Sequence, residues 1–143
     1  MYNFPNPNND KWISKYNDLV NEVASNQDYY KEYKKTQPKR NDKAIDGFSA
    51  DNVTIHHIIP KKIDMSLVKD KNNLLYIPFN KHCDLHYYLW KSNKEYALHL
   101  WFICLAARKM KIWDLPGGEI EYKQLKKDLS YCIQLKKKNK NEE

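Results

Sequence analysis

No stretch of this sequence is apolar over the roughly 18 residues needed to cross a bilayer. The Asn-rich start, MYNFPNPNND, lacks the apolar h-region of a signal peptide and gives no support for export. Cysteine is scarce: Cys83, Cys104 and Cys132 are an odd number, widely spaced, without a C-x-x-C pair. That argues against a zinc ribbon or a disulfide framework and makes a reducing compartment the default expectation. Arginine is nearly missing. Of 25 basic residues only Arg40 and Arg108 are arginines, which leaves 23 lysines. Lysine meets phosphate as a point charge, whereas bidentate guanine readout is largely arginine work. A nucleic-acid partner is therefore expected to be held through its backbone rather than read by an arginine code.

What is present describes a folded chain. An apolar fraction of 41%, with eleven tyrosines and four tryptophans, is far from a disordered composition. The length of 143 residues suits one domain with a modest core. A formal net charge of +7 points to a polyanionic partner, with nucleic acid and an anionic membrane surface both fitting. The abundance of lysine and asparagine also fits coding by an AT-rich genome.

Asn9 or Asp10 can cap a first helix, in which Trp12, Tyr16, Leu19, Val20 and Val23 recur at helical spacing. A second helical piece, DYYKEYKK, ends near Gln37, before Pro38. The polar segment from Pro38 to Gly47 reads as a linker or a DNA-facing loop. Residues 53–58 read as a strand closed by Pro60, and NLLYIP as a second strand ending at Pro78. Asn80 can cap a helix through KHCDLHYYLWK, which completes a ββα unit. After a break at Ser92-Asn93, KEYALHLWFICLAARKM is apolar nearly all round and predicts a buried helix. DLPGGE is a turn, and the last helix, with Tyr122, Leu125, Leu129, Cys132 and Ile133, is expected to fray into KKKNKNEE.

The chemistry lies in the histidines. Four of five, His56, His57, His82 and His86, fall in the ββα unit. His82 and His86 are four apart on a predicted helix and so share one face, a spacing at which both imidazoles can reach one ion. His56 and His57 are neighbours on a strand, so their side chains leave opposite faces. One can complete a three-histidine site while the other faces away, able to titrate.

These residues resemble the HNH, or His-Me finger, nucleases. The pattern is HHIIP followed by NNLLYIPFNKHCDLH, with Asn73 nine residues before His82 and thirteen before His86, similar to colicin-type DNases. The surroundings are more similar to free-standing phage and intron homing endonucleases. The resemblance is specific over 53–91 and looser over 11–30 and 95–130. It implies an α+β fold, a ββα-metal finger embedded in a mostly helical small domain. One domain would then span 1–143, with the core at about 53–91 and flanking helices at about 9–37 and 94–138.

The resemblance also implies roles. His56, His82 and His86 would be metal ligands, His57 the general base that activates water, and Asn73 the brace of the loop that orients it. A base must keep its lone pair off the metal, and an imidazole with its ordinary pKa of about 6.5 suits this work near neutral pH. The implied activity is endonuclease hydrolysis of double-stranded DNA to 5′-phosphate and 3′-hydroxyl ends, with one divalent ion acting as a Lewis acid. Magnesium, manganese, zinc, nickel and cobalt all stay open. Softness favours the transition metals for three neutral imidazoles, while family members are often assayed with magnesium. The cytoplasm of a bacterium or phage-infected cell is the implied location, with no membrane partner. A homing endonuclease is the first choice and a restriction or phage-defence nuclease the second, the latter expected to dimerise. The reading from another class is a non-catalytic nucleic-acid-binding module with a structural zinc.

Two positions depart from the family. The loop KKIDMSLVKDKN lacks the glycine pair common in the phage enzymes. Thr54 stands where colicin-type DNases carry an acidic residue, so a carboxylate behind the ligands must come from Asp84 or Asp64, or be absent. Lys61 and Lys62 are candidate phosphate contacts or simply solvated, Lys81 is a further candidate DNA contact, and Arg108 contributes only if its helix packs near the site. His99 is expected to be a core histidine with a hydrogen-bond partner, and Cys83 a packing residue. Tyr29, Tyr30 and Tyr33 are expected to pack, with base stacking as the alternative. The lysines at 136–140 are expected to form a solvated tail that adds nonspecific DNA affinity at low salt.

Overall fold

Helical spacing of apolar residues near the N-terminus produces α1 (Asp10–Ala24), which buries Tyr16, Val20 and Val23 along one face. The chain is seen here as a computed structural model that describes residues 10–37, 49–58, 66 and 70–142. A turn at Ser25-Asn26 leads into α2 (Gln27–Thr36), which stops with Gln37 as its C-cap, near where the sequence predicts.

Among the described residues the sheet has two antiparallel strands, β1 (Val53–His57) and β2 (Leu74–Pro78), in a register that sets His56 opposite Leu75 and His57 opposite Leu74. One face, with Thr54, His56, Leu75 and Ile77, turns toward α1 and the helix that follows β2, α3 (Phe79–Ser92). The other face and the edges meet α2. A two-stranded ribbon leaves both edges with unpaired backbone groups. Two glutamines at the ends of α2 answer this. Gln27 accepts from the Tyr76 amide and donates to the Tyr76 carbonyl, both at 2.9 Å. Gln37 does the same to Val53, at 2.6 and 2.8 Å. Each side-chain amide thus substitutes for a neighbouring strand.

Asn80 does not cap α3. The helix begins one residue earlier, and its first amides donate to the chain before β1: Phe79 N–H to the Asn52 carbonyl and Asn80 N–H to the Ala50 carbonyl, at 2.8 and 3.0 Å. Backbone partners have replaced the side-chain cap and clamp the start of α3 to the entry of β1.

A 3-10 turn at Lys94–Tyr96, capped by Asn93, leads into α4 (Ala97–Lys109). This helix is not buried all round. Ala97, Leu100, Cys104 and Ala107 form its inner stripe, while Phe102 and Leu105 are exposed. The last helix, α5 (Gly118–Glu142), starts at Gly118 with φ +67°, a conformation open to glycine at little cost. It stays helical through the lysine-rich segment to Glu142 rather than fraying after Leu135.

Polar pins hold the C-terminal half. Trp90 Nε1 donates to Asp128 at 2.7 Å and the Tyr87 hydroxyl to Glu121 at 2.7 Å, each joining α3 to α5. Leu100, Leu125 and Cys132 fill the apolar cluster behind them. The fold is α+β and mostly helical. Among the described residues no helix is long and apolar enough to cross a membrane.

Candidate metal centre

The alternation of β1 separates the two adjacent histidines. His56 is only 2% exposed, on the strand face that meets α3, while His57 is half-buried on the other. On α3, His82 and His86 lie one turn apart and face His56. The ring centroids form a near-equilateral triangle with sides of 4.9, 5.0 and 4.9 Å. One ligand nitrogen from each ring lies within 4.8 Å of the other two, close enough to bind a metal ion together. The Nε2 atoms of His82 and His86 are 3.1 Å apart. With metal–nitrogen bonds of 2.0–2.1 Å, two ligands of a tetrahedral zinc sit about 3.3 Å apart, so this edge is close to coordination size.

The protonation state also suits coordination. Burial holds His56 well below the usual imidazole range, and the nearby rings of His82, His86, His57 and His99 push it the same way. Burial likewise lowers His86, helped by His82 and His99. Both are therefore neutral at neutral pH, which leaves a lone pair available.

Two hydroxyls stand behind the cluster. The Tyr16 hydroxyl, from the fully buried face of α1, lies 2.7 Å from His56 Nε2 and donates at 2.7 Å to the Ile58 carbonyl. Thr54 Oγ1 lies 2.8 Å from His82 Nδ1 and 3.2 Å from the Ile77 carbonyl. Among the described residues His86 Nδ1 has no hydrogen-bond partner.

The other residues expected at the site lie in different surroundings. Asn73 is buried, and its carbonyl accepts from the Ile58 amide at 2.8 Å, directly beyond His57. Lys61, Lys62 and Asp64 lie outside the described residues. Lys81 precedes His82 on α3, 3.7 Å from the Glu22 carboxylate. Arg108 lies toward the C-terminal end of α4. It pairs with Asp114 and Glu119 at 3.4 and 3.7 Å and stacks on Tyr122 at the α4–α5 junction. The Asp84 carboxylate meets Trp113 instead of a histidine, accepting from Trp113 Nε1 at 2.9 Å. Burial raises its pKa, with the Trp113 hydrogen bond opposing. Cys83 is fully buried, as a packing residue should be. Tyr29 is exposed and rests against Tyr30 and Tyr33.

His99 is the clearest correction. It is not in the core: it occupies an exposed position on α4, with its ring stacked 6.0 Å from that of His86 at an interplanar angle of 13°. Its apolar neighbours in sequence suggested burial, but α4 buries only one stripe. Sequence reasoning also missed Tyr16, which looked like one more core aromatic, and read Thr54 only as a missing acid.

Compared with known proteins, the chain matches no family model, no curated protein and no solved structure.

Proposed function

We propose that the protein is a metal-dependent endonuclease that hydrolyses DNA phosphodiester bonds, with β1, β2 and α3 acting as an HNH-type ββα-metal finger. The observation that carries this reading is the split of the histidine pair: His56 converges with His82 and His86 while the adjacent His57 does not join them. A divalent ion held by the three imidazoles would supply Lewis-acid stabilisation of charge developing on the scissile phosphate. His57, with its lone pair outside the ligand set, takes a proton from the attacking water. The Asn73 carbonyl holds the amide of Ile58 and so fixes the backbone just past that base. The excess of lysine, with Lys81 beside the ligands, supplies sequence-independent attraction to the DNA backbone. The products are a 5′-phosphate and a 3′-hydroxyl. A homing role is the first choice and a restriction or phage-defence role the second; sizing and sequencing of the cut ends separate a tolerant long site from a short palindrome.

One observation favours a second reading. His56 is tied to the core through Tyr16, so an ion there would also cross-link α1, β1 and α3. A structural zinc in a non-catalytic nucleic-acid-binding module needs that cross-link and gives His57 no task. The deciding experiment is incubation of plasmid DNA with the wild type and His57→Ala across a panel of divalent ions. The nuclease reading expects cutting by the wild type with at least one ion, and a variant that still binds metal and DNA but has lost cleavage. Undiminished cutting by His57→Ala removes the base assignment, and no cutting by the wild type with any ion removes the enzyme reading.

A further inference from the structure

We propose that Tyr16 and Thr54 are positioning residues that fix which nitrogen of His56 and His82 faces the metal, so that His56 ligates through Nδ1 and His82 through Nε2. The inference rests on the three histidines being a metal site and does not depend on cleavage.

The constraint comes from counting protons. A phenol carries one proton, and a carbonyl oxygen can only accept. Tyr16 lies 2.7 Å from both the Ile58 carbonyl and His56 Nε2. If both hydrogen bonds form, the phenol proton points to Ile58 and the imidazole must donate. His56 is then the Nε2–H tautomer, with its lone pair on Nδ1. Thr54 repeats the arrangement with the opposite outcome. Its single proton goes to the Ile77 carbonyl at 3.2 Å, so Oγ1 accepts from His82 Nδ1–H at 2.8 Å and leaves Nε2 bare. That bare Nε2 is the atom 3.1 Å from His86 Nε2, on the side where the three rings converge.

Both anchors are rigid. Tyr16 is fully buried, and its second partner, Ile58, is held in turn by the Asn73 carbonyl. Thr54 is on β1 itself, bonded across the ladder to the residue it faces, Ile77. A histidine ligand that donates its outer N–H to a fixed acceptor is held in one ring orientation and becomes a better donor to the metal. The two hydroxyls therefore do for His56 and His82 the work that a carboxylate does behind other histidine ligands. Tyr16 also links α1 to the centre, although it lies 40 residues from His56 in sequence.

Nitrogen-15 NMR of the zinc-loaded full chain reads the tautomers directly. The expected spectrum has His56 protonated on Nε2 and His82 protonated on Nδ1; a His56 bound through Nε2 overturns the proposal whatever the protein does to DNA. Zinc competition titrations supply the second arm. Tyr16→Phe and Thr54→Val are each expected to weaken zinc binding about 10- to 100-fold, while Thr54→Ser, which keeps the hydroxyl, stays near wild type. If both hydroxyl-free variants bind zinc like the wild type, the positioning role is wrong. Should Tyr16→Phe fail to fold, the wild-type spectrum and the two Thr54 variants still decide the outcome. Correct tautomers in a protein that cuts no DNA would leave this inference standing and remove only the nuclease reading.

Discussion

The Nε2 atoms of His82 and His86 lie 3.1 Å apart, held at that separation by a single turn of α3. Two neutral imidazoles can share that space only with a proton or a cation between them, since two bare lone pairs repel. A metal ion that binds the folded protein and not the unfolded chain stabilises by about 2.7 kcal/mol at a hundred times its Kd. For a chain of this size that is a rise in Tm of roughly 5–10 °C. Addition of zinc to chelator-treated protein should give this rise in a thermal melt, and His86→Ala should abolish it. A melt that ignores zinc in the wild type would count against the metal centre itself.

The two neighbours on β1 should behave oppositely on mutation. His56 is buried between Tyr16 and α3, so His56→Ala removes one of the three clustered imidazoles, takes one partner from the Tyr16 hydroxyl and opens a void. Loss of metal binding and a destabilisation of about 2–4 kcal/mol are expected in denaturant titrations. His57 lies on the other face, half-buried, and His57→Ala should cost under about 1 kcal/mol and leave zinc affinity intact. Equal losses in the two variants would mean that the strand does not divide their roles.

The metal-free protein should weaken in acid. Burial and the neighbouring imidazoles lower the pKa of His56 and His86 in the fold, whereas in the unfolded chain both titrate near the ordinary value of about 6.5. Below that pH the unfolded state binds the extra protons, so stability that is fully present above about pH 6.5 falls as pH drops toward the folded values. Each extra proton contributes a slope of at most about 1.4 kcal/mol per pH unit. Melting in the presence of a chelator from pH 7.5 down to pH 5 tests this, and a flat profile over that range would contradict the burial of the two rings.

Patterns with a short period were legible in the sequence. Tyr16, Val20 and Val23 gave α1, strand alternation split His56 from His57, and the four-residue spacing paired His82 with His86. What could not be read depends on which distant groups a polar side chain meets. Nothing local distinguishes Tyr16 from the other tyrosines or ties its hydroxyl to a ring 40 residues on. Thr54 was seen as lacking a carboxylate, yet its hydroxyl meets His82 because both sit on the enclosed side of the ribbon. His99 misled because an apolar stretch hides which side of its helix is covered. Asn80 misled because backbone carbonyls at Ala50 and Asn52 reached the start of α3 first.

The glutamine brackets on the sheet lead to the last expectation. Gln27 and Gln37 each satisfy one amide and one carbonyl on an outer edge, Tyr76 on β2 and Val53 on β1. Replacement by alanine returns those edge groups to water or leaves them unpaired, at a cost of about 1–2 kcal/mol per variant. The effects should also be local. Hydrogen exchange of the Tyr76 amide should speed up in Gln27→Ala while that of Val53 does not, and the reverse should hold in Gln37→Ala. Gln27→Glu is the finer probe, because a carboxylate can still accept from the Tyr76 amide but cannot donate to its carbonyl. Its amide should stay protected while part of the stability is lost. An unpaired edge also invites strand addition from a second chain, so the double alanine variant should aggregate sooner on heating than either single one. If both amides exchange at wild-type rates in both variants, α2 is not what holds the edges of the ribbon.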